Sequence, residues 1–249
     1  FDTNAVTLVQ NGSDKIGGLT TNAVLSTEGL AVTLVFVDAT QGWLVTDSGL
    51  QDEVPQPQYV TATGGTITCS GDYRIHTFTG PGALCVSAAG NAAGSNTVDY
   101  LVVAGGAGGG GCGYAGGGGA GGYRESPGTA SGSYTVSPLG VSPAVALPVS
   151  VQPYTVTVGG GGAAGTPGAP QPGTNGINST FSTITSAGGG GGAGENGPGP
   201  NNGLPGGSGG GSSYTGTGGT GNTPPTSPSQ GKDGGSNPGG APTNYNVAG

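Results

Sequence analysis

The chain has 249 residues, of which 61 are glycine and 19 are proline, while only 6% are charged. Its net charge of -8 and its four basic residues exclude a positive stripe that follows nucleic-acid phosphates, so we expect no nucleic-acid partner. No apolar run approaches the roughly 20 residues of a transmembrane helix, so we also expect no membrane insertion. Disordered segments are normally rich in charge. The low charge therefore favours a folded structural protein of low complexity.

Residues 1–50 predict an N-terminal β module. Four short runs with strand-like composition, at 5–10, 19–26, 31–38 and 42–46, are separated by turn signals. Both faces of the third run are largely apolar, which favours burial between layers or between subunits. Because fifty residues cannot bury a large core alone, we expect this module to associate with other copies of the chain.

The remainder divides into three parts by composition. Residues 51–58 predict a linker, because Pro55 and Pro57 exclude a central strand. Residues 59–104 predict a second β module of four or five strands, which passes into the glycine tracts without a sharp boundary. Residues 105–249 hold most of the glycine and almost no charge, and they predict a glycine-rich domain.

Short β-prone runs lead directly into glycine tracts at 100–123, 154–162 and 181–192. Glycine costs about 1 kcal/mol relative to alanine at each helix position, so these tracts do not predict α-helices. They are either flexible linkers or packed, extended backbones of the polyglycine type, with three residues per turn and lateral amide hydrogen bonds. Recurring strands favour packing over a linker. We therefore predict an all-β, fibrous fold, in which short N-terminal β modules precede a bundle of polyglycine II helices interleaved with strands.

The sequence gives little support to catalysis. His76, the single histidine, lies in a predicted strand, and the GxGxxG matches lack the strand–helix context of a nucleotide site. The spacing of Cys69, Cys85 and Cys112 matches no common zinc module. A Cys69–Cys85 bridge and three unpaired thiols remain equally open. We predict a non-catalytic protein without a cofactor or a metal.

Binding is better supported than catalysis. Aromatic rings near glycine-rich turns can stack on sugars, and amides can bond their hydroxyls. The candidate receptor-contact residues are Tyr114, Tyr123, Asn175, Asn196, Asn201, Tyr214 and Asn222. The loops 163–176, 195–205 and 222–237 are favoured because they are polar, rich in proline and placed between candidate glycine helices. Trp43 is predicted to be a core residue instead.

Three runs carry a family resemblance: TVDYLVVAGGAGGGG, YTVTVGGGGAAG and STFSTITSAGGGGGAG. Together with the β sequence before them, they resemble the glycine-rich domain of bacteriophage tail fibres and adhesins, notably those of marine phages. The run AVTLVFVDATQGWLV resembles the β modules of trimeric phage fibres. The resemblance covers most of the chain.

The resemblance implies a homotrimer that belongs to an extracellular virion, contacts other virion proteins and binds a host cell-surface glycan or protein through its loops. The alternative is a non-adhesive structural protein, such as a secreted bacterial filament subunit or a capsid-surface fibre. An enzyme that cleaves host polysaccharide is disfavoured.

Overall fold

The computed structural model describes residues 5–27, 29–50, 57–91, 94–128, 145–195 and 201–237. Within these ranges all regular secondary structure is β, and no α-, 3₁₀- or π-helix is present. The prediction of an all-β fold is confirmed. The chain forms two compact units, Phe1–Gln58 and Tyr59–Gly249, which are described separately below.

Two antiparallel strand pairs make up the first unit. Strand β1 (Val6–Leu8) pairs with β2 (Ala23–Leu25), and β3 (Leu30–Asp38) pairs with β4 (Gly42–Leu50). The register of the longer pair shifts twice, between Thr33 and Leu34 and between Phe36 and Asp38. Since each sheet has only two strands, the first unit offers little opportunity to bury a sheet face.

Trp43 is not a core residue, contrary to the prediction. Its side chain is 41% exposed, and its ring packs edge-on against Phe36 with 5.6 Å between ring centroids. Its backbone N–H donates to the carbonyl of Lys15. Val35 and Val37 are also exposed, so the apolar face of β3 that carries them remains uncovered within the described part of this unit.

The second unit contains eleven described strands. They are β5 (Val60–Thr63), β6 (Thr66–Ser70), β7 (Tyr73–Thr77), β8 (Gly82–Ala89), β9 (Thr97–Val98), β10 (Leu101–Val103), β11 (Tyr123–Glu125), β12 (Leu147–Pro148), β13 (Pro153–Thr157), β14 (Ser179–Phe181) and β15 (Ile184–Ser186). Five of them form an antiparallel sheet in the order β15-β14-β13-β8-β5. The other six form the pairs β6–β7, β9–β12 and β10–β11.

Two segments are divided into more strands than the sequence predicts. Residues 59–104 form six strands rather than four or five, since β9 and β10 are separated at Asp99 and Tyr100. The β-prone run at 179–186 folds back on itself as the hairpin β14–β15, with Ser182 at a positive φ of 53°. In the second place a tight turn at Ser182 and Thr183 interrupts the segment.

The hydrophobic core lies on the five-stranded sheet. Its buried members are Ala62, Leu84, Val86, Val102, Val149, Tyr154, Val156 and Phe181. Strand β13 alternates in the expected way, with Tyr154 and Val156 buried and the residues between and beside them exposed. Strands β13 and β15 of this sheet each lead directly into a glycine tract, and so does β10 of the separate β10–β11 pair.

The chemically distinctive side chains are dispersed. Cys69, Cys85 and Cys112 are free, which resolves the open alternative in favour of unpaired thiols. Nδ1 of His76 lies 2.8 Å from the carbonyl oxygen of Gly64. Among the described residues, no group of His, Cys, Asp and Glu side chains is arranged to hold a metal ion. No helix with the length and apolarity needed to cross a membrane occurs in the described ranges.

Candidate functional site: the glycine bundle and its two ends

The glycine-rich segments of the second unit lie side by side as extended backbones outside the strands. We call these segments rods and number them along the chain: rod 1 (104–111), rod 2 (116–122), rod 3 (159–165), rod 4 (171–177), rod 5 (187–195), rod 6 (203–207), rod 7 (208–213), rod 8 (216–221) and rod 9 (231–237). None of their glycines has a positive φ. No rod glycine therefore adopts the left-handed region of backbone conformation.

Hydrogen bonds between the rods repeat every three residues. In rod 1, one set of N–H groups donates to carbonyls of rod 2, in the pairs Ala104–Gly122, Ala107–Gly119 and Gly110–Gly116. The next set donates to rod 4, in the pairs Gly105–Ile177, Gly108–Thr174 and Gly111–Gln171. The paired numbers run in opposite directions, so rods 2 and 4 are antiparallel to rod 1. A repeat of three differs from the alternation of two that a β-strand shows.

Rod 5 forms the centre of the bundle. Residues 186–194 are all buried, and rod 5 exchanges backbone hydrogen bonds with rods 1, 2, 4, 6 and 7. The interior of this half of the unit is therefore main chain rather than side chains. Buried backbone groups need partners, and the neighbouring rods supply them.

Two asparagine side chains complete the network at rod 5. Oδ1 of Asn178 accepts from the N–H of Gly188 at 2.9 Å, and Oδ1 of Asn175 accepts from the N–H of Gly191 at 2.8 Å. Nδ2 of Asn175 also donates to the carbonyl of Pro205, which joins rod 4 to rod 6. Asn175 thus has a structural role on the lateral surface of the bundle.

Close approach of the rods requires glycine at specific positions. A Cβ atom on Gly105, Gly108 or Gly110 would lie 2.0 Å from a carbonyl oxygen of a neighbouring rod, a separation that real Cβ atoms do not show. A Cβ on Gly109 would meet its nearest atom at 3.6 Å, an ordinary contact. The need for glycine therefore comes from the faces that contact other rods.

The end of the bundle next to the sheet contains two of the candidate residues. The N–H of Tyr123 donates to the carbonyl of Gln230, and Oδ1 of Asn222 accepts from the N–H of Gln230 and the N–H of Thr226. The hydroxyl of Tyr123 donates to Oε2 of Glu125 at 2.6 Å. Tyr123 and Asn222 are thus both engaged in internal hydrogen bonds.

The opposite end, which we call the distal end, contains a compact aromatic group. The rings of Tyr114 and Tyr214 pack edge to face, with 6.1 Å between centroids and an interplanar angle of 76°. The hydroxyl of Tyr214 donates to Oε1 of Glu195 at 2.9 Å, and the N–H of Tyr114 approaches Oε2 at 3.4 Å. Ser213 connects this group to Asn201, whose carbonyl accepts its N–H, and to Tyr114, whose carbonyl accepts its hydroxyl.

The structure thus brings together three of the seven candidate residues, namely Tyr114, Tyr214 and Asn201. It places Tyr123 and Asn222 at the other end and Asn175 between the two ends. Asn196 lies outside the described residues. The central residue of the distal group, Glu195, is not one of the seven candidate residues, although it begins the favoured loop 195–205 and is the only acidic residue between Glu125 and Asp233.

The sequence profile of a family described as a glycine-rich domain matches residues 85–249. The chain belongs to this glycine-rich domain family. Comparisons with curated proteins and with solved structures found no match. The matched region of the glycine-rich domain includes all nine rods, the strands from β9 to β15 and most of β8.

A shallow groove adjoins the aromatic group at the distal end of the glycine-rich domain. It has a volume of about 520 Å³ and is lined by Gly110, Gly111, Cys112, Gly113, Ala164, Gly165, Pro167, Gly168 and Glu195. Most of this lining is bare backbone. Glu195 lines the groove and also bonds the tyrosine pair, so the two features are adjacent and share this residue. That surface can offer hydrogen bonds and aromatic contact.

Proposed function

We propose that the nine rods are polyglycine II helices and that residues 105–249 form a fibrous bundle of them. The three-residue repeat of the hydrogen bonds between rods supports this assignment, because polyproline-type helices have three residues per turn and no internal hydrogen bonds. The absence of positive φ in the rod glycines agrees with a single helical hand.

We propose further that the protein is a structural and host-recognition component of a phage virion, a tail fibre or fibre-like adhesin, and that it acts without catalysis. The observation that carries this proposal is the distal end. There, Tyr114, Tyr214 and Glu195 sit on turns held by a bundle whose own polar groups are largely satisfied internally. A rigid, charge-poor body that presents aromatic and polar groups at one end suits recognition of an external surface.

The first unit supports an oligomeric arrangement, for which we propose a homotrimer. Every buried hydrophobic side chain of the described residues belongs to the second unit. The first unit instead exposes Val35, Phe36, Val37, Trp43 and Val45. A two-stranded sheet is marginal alone in water, so other copies of the chain would have to cover these side chains.

Cell binding tests the recognition role. The purified full chain, labelled with a fluorophore, is incubated with a panel of marine bacteria, and bound protein is counted by flow cytometry. A host-recognition protein binds a restricted subset of strains, and unlabelled chain competes with it and blocks adsorption of phages to those strains. Uniform absence of binding across the panel, or binding that no unlabelled chain competes with, would contradict the proposal.

The exposed apolar strands also favour the second candidate function, a non-adhesive filament subunit. Light scattering combined with negative-stain imaging separates the two. A discrete particle of three chains supports the fibre protein. Open-ended filaments would contradict the fibre protein and support the filament subunit.

A further inference from the structure

We propose that the groove at the distal end, together with Tyr114, Tyr214 and Glu195, binds a neutral saccharide. This inference rests on the proposed function and gives the host-recognition surface a location and a class of ligand. Its volume of about 520 Å³ lies within the range of sites for small molecules, roughly 300–1,000 Å³.

The tyrosine pair provides the apolar contact that a sugar ring needs. Tyr114 is 39% exposed, and Tyr214 holds its ring against it at 76°. A tyrosine combines an apolar ring with a polar hydroxyl, so it can stack against the C–H face of a sugar at little conformational cost. The edge-to-face contact keeps the two rings in place before a ligand arrives.

Glu195 supplies hydrogen-bond acceptors beside the rings. An ionised carboxylate offers about four acceptor sites. The hydroxyl of Tyr214 and the N–H of Tyr114 engage one oxygen each, which fixes the carboxylate and leaves further sites for ligand hydroxyls. A saccharide presents several hydroxyl donors around its ring and fits this pattern.

The composition of the groove selects against other ligand classes. Its lining contains no Lys or Arg, it includes the Glu195 carboxylate, and the whole chain has a net charge of -8. An anionic saccharide or phosphate would therefore be repelled. An apolar ligand, or a peptide with large apolar anchor residues, needs a pocket with a hydrophobic lining. The side chains that line this groove are limited to Cys112, Ala164, Pro167 and Glu195.

Glycine keeps the groove open at one wall. A Cβ on Gly113 would meet no atom within 4 Å, and Gly113 has no positive φ, so the fold itself does not require glycine there. Because Gly113 lines the groove, a larger side chain that starts in this open space would narrow it. This makes Gly113→Leu a variant that blocks the site while leaving the bundle intact.

The test uses the full chain on a microarray of printed oligosaccharides, with neutral hexose and N-acetylhexosamine chains on one half and sialylated and sulfated chains on the other. We expect binding to at least one neutral chain and none to the anionic half. Tyr114→Ala and Gly113→Leu should each weaken that binding by about tenfold or more. Tyr73→Ala is the matched control, because Tyr73 lies on β7 with a similar exposure of 41% and should leave binding unchanged.

Glu195→Gln tests the charge separately from the geometry. The amide can still bond the two tyrosines, so neutral binding should persist within a few-fold while anionic chains gain affinity. Circular dichroism melting of each variant checks that the fold is retained. Binding restricted to anionic chains, no binding to any neutral chain, or neutral binding that survives both Tyr114→Ala and Gly113→Leu would each overturn the proposal. If these variants abolish cell binding while no printed saccharide binds, the saccharide is wrong but the recognition role stands.

Discussion

Gly108 and Gly109 are neighbours in rod 1, yet they experience different surroundings. A Cβ on Gly108 would overlap the carbonyl oxygen of Ala163, whereas one on Gly109 finds ordinary contacts. We expect Gly108→Ala to lower the free energy of unfolding by about 3 kcal/mol through overpacking. Gly109→Ala should be neutral or stabilise by up to about 1 kcal/mol, because it reduces the entropy of the unfolded chain. Urea unfolding followed by circular dichroism measures both, and equal losses would argue against packed rods.

The hydroxyl of Tyr154 is surrounded by donors, which gives a second prediction at the residue scale. The side-chain hydroxyl of Ser150, the side-chain amide of Gln152 and the backbone N–H of Ser150 lower the pKa of Tyr154 below its ordinary value of 10.0, while burial opposes them. Because this pKa is lower in the folded chain than in the unfolded chain, the resulting stability is complete above the unfolded pKa. It is lost as the pH falls through the folded pKa.

Tyr154→Phe removes this titration. The variant should lack the part of the alkaline stability profile that belongs to Tyr154, and its absorbance titration near 295 nm should lose the ionisation of that one tyrosine. Tyr59→Phe, at a highly exposed tyrosine outside this network, is the control. If both variants titrate alike, the donors around Tyr154 do not stabilise its phenolate.

At the scale of elements, the repeat of three in rod 1 predicts a pattern of amide exchange. The N–H groups of Gly105 and Gly108 donate to rod 4, while those of Gly106 and Gly109 have no backbone acceptor among the described residues. Exchange should therefore be slow at the first pair and fast at the second. The amides of rod 5 should be the slowest of the rods, because this rod is buried along residues 186–194. Amide exchange followed by NMR on labelled glycine would show an alternation of two instead if the rods were strands.

The same scale shows what the sequence could and could not predict. Local composition was sufficient for the β class, for β3 and for the packing-prone glycine tracts. It could not predict the break at Asp99 and Tyr100, because the side chain that bonds the Asp99 carboxylate and the Tyr100 N–H there is Ser126, which lies 27 and 26 residues further along the chain. Nor could it predict that Glu195 meets Tyr214, since uniform glycine tracts contain no signal for which rods become neighbours.

For the whole molecule, the exposed strands of the first unit predict that its oligomeric state depends on apolar side chains of β3. Val35 and Val37 are 45% and 53% exposed, and the described part of this unit covers neither of them. Replacing both with threonine keeps the shape and the β-branched character while adding a hydroxyl that is costly to bury. We expect the double variant to dissociate at concentrations where the wild type forms the proposed trimer, with the second unit of each chain still folded.

Light scattering at several concentrations measures this change, and circular dichroism checks the second unit. The control is Val9→Thr, because Val9 is 73% exposed but lies outside the β3–β4 hairpin, so its substitution should leave the mass unchanged. Trimers that persist in the double variant would place the interface elsewhere in the chain. A wild type that remains monomeric at every concentration would contradict the proposed trimer, because no other copy of the chain would then cover the exposed valines of β3.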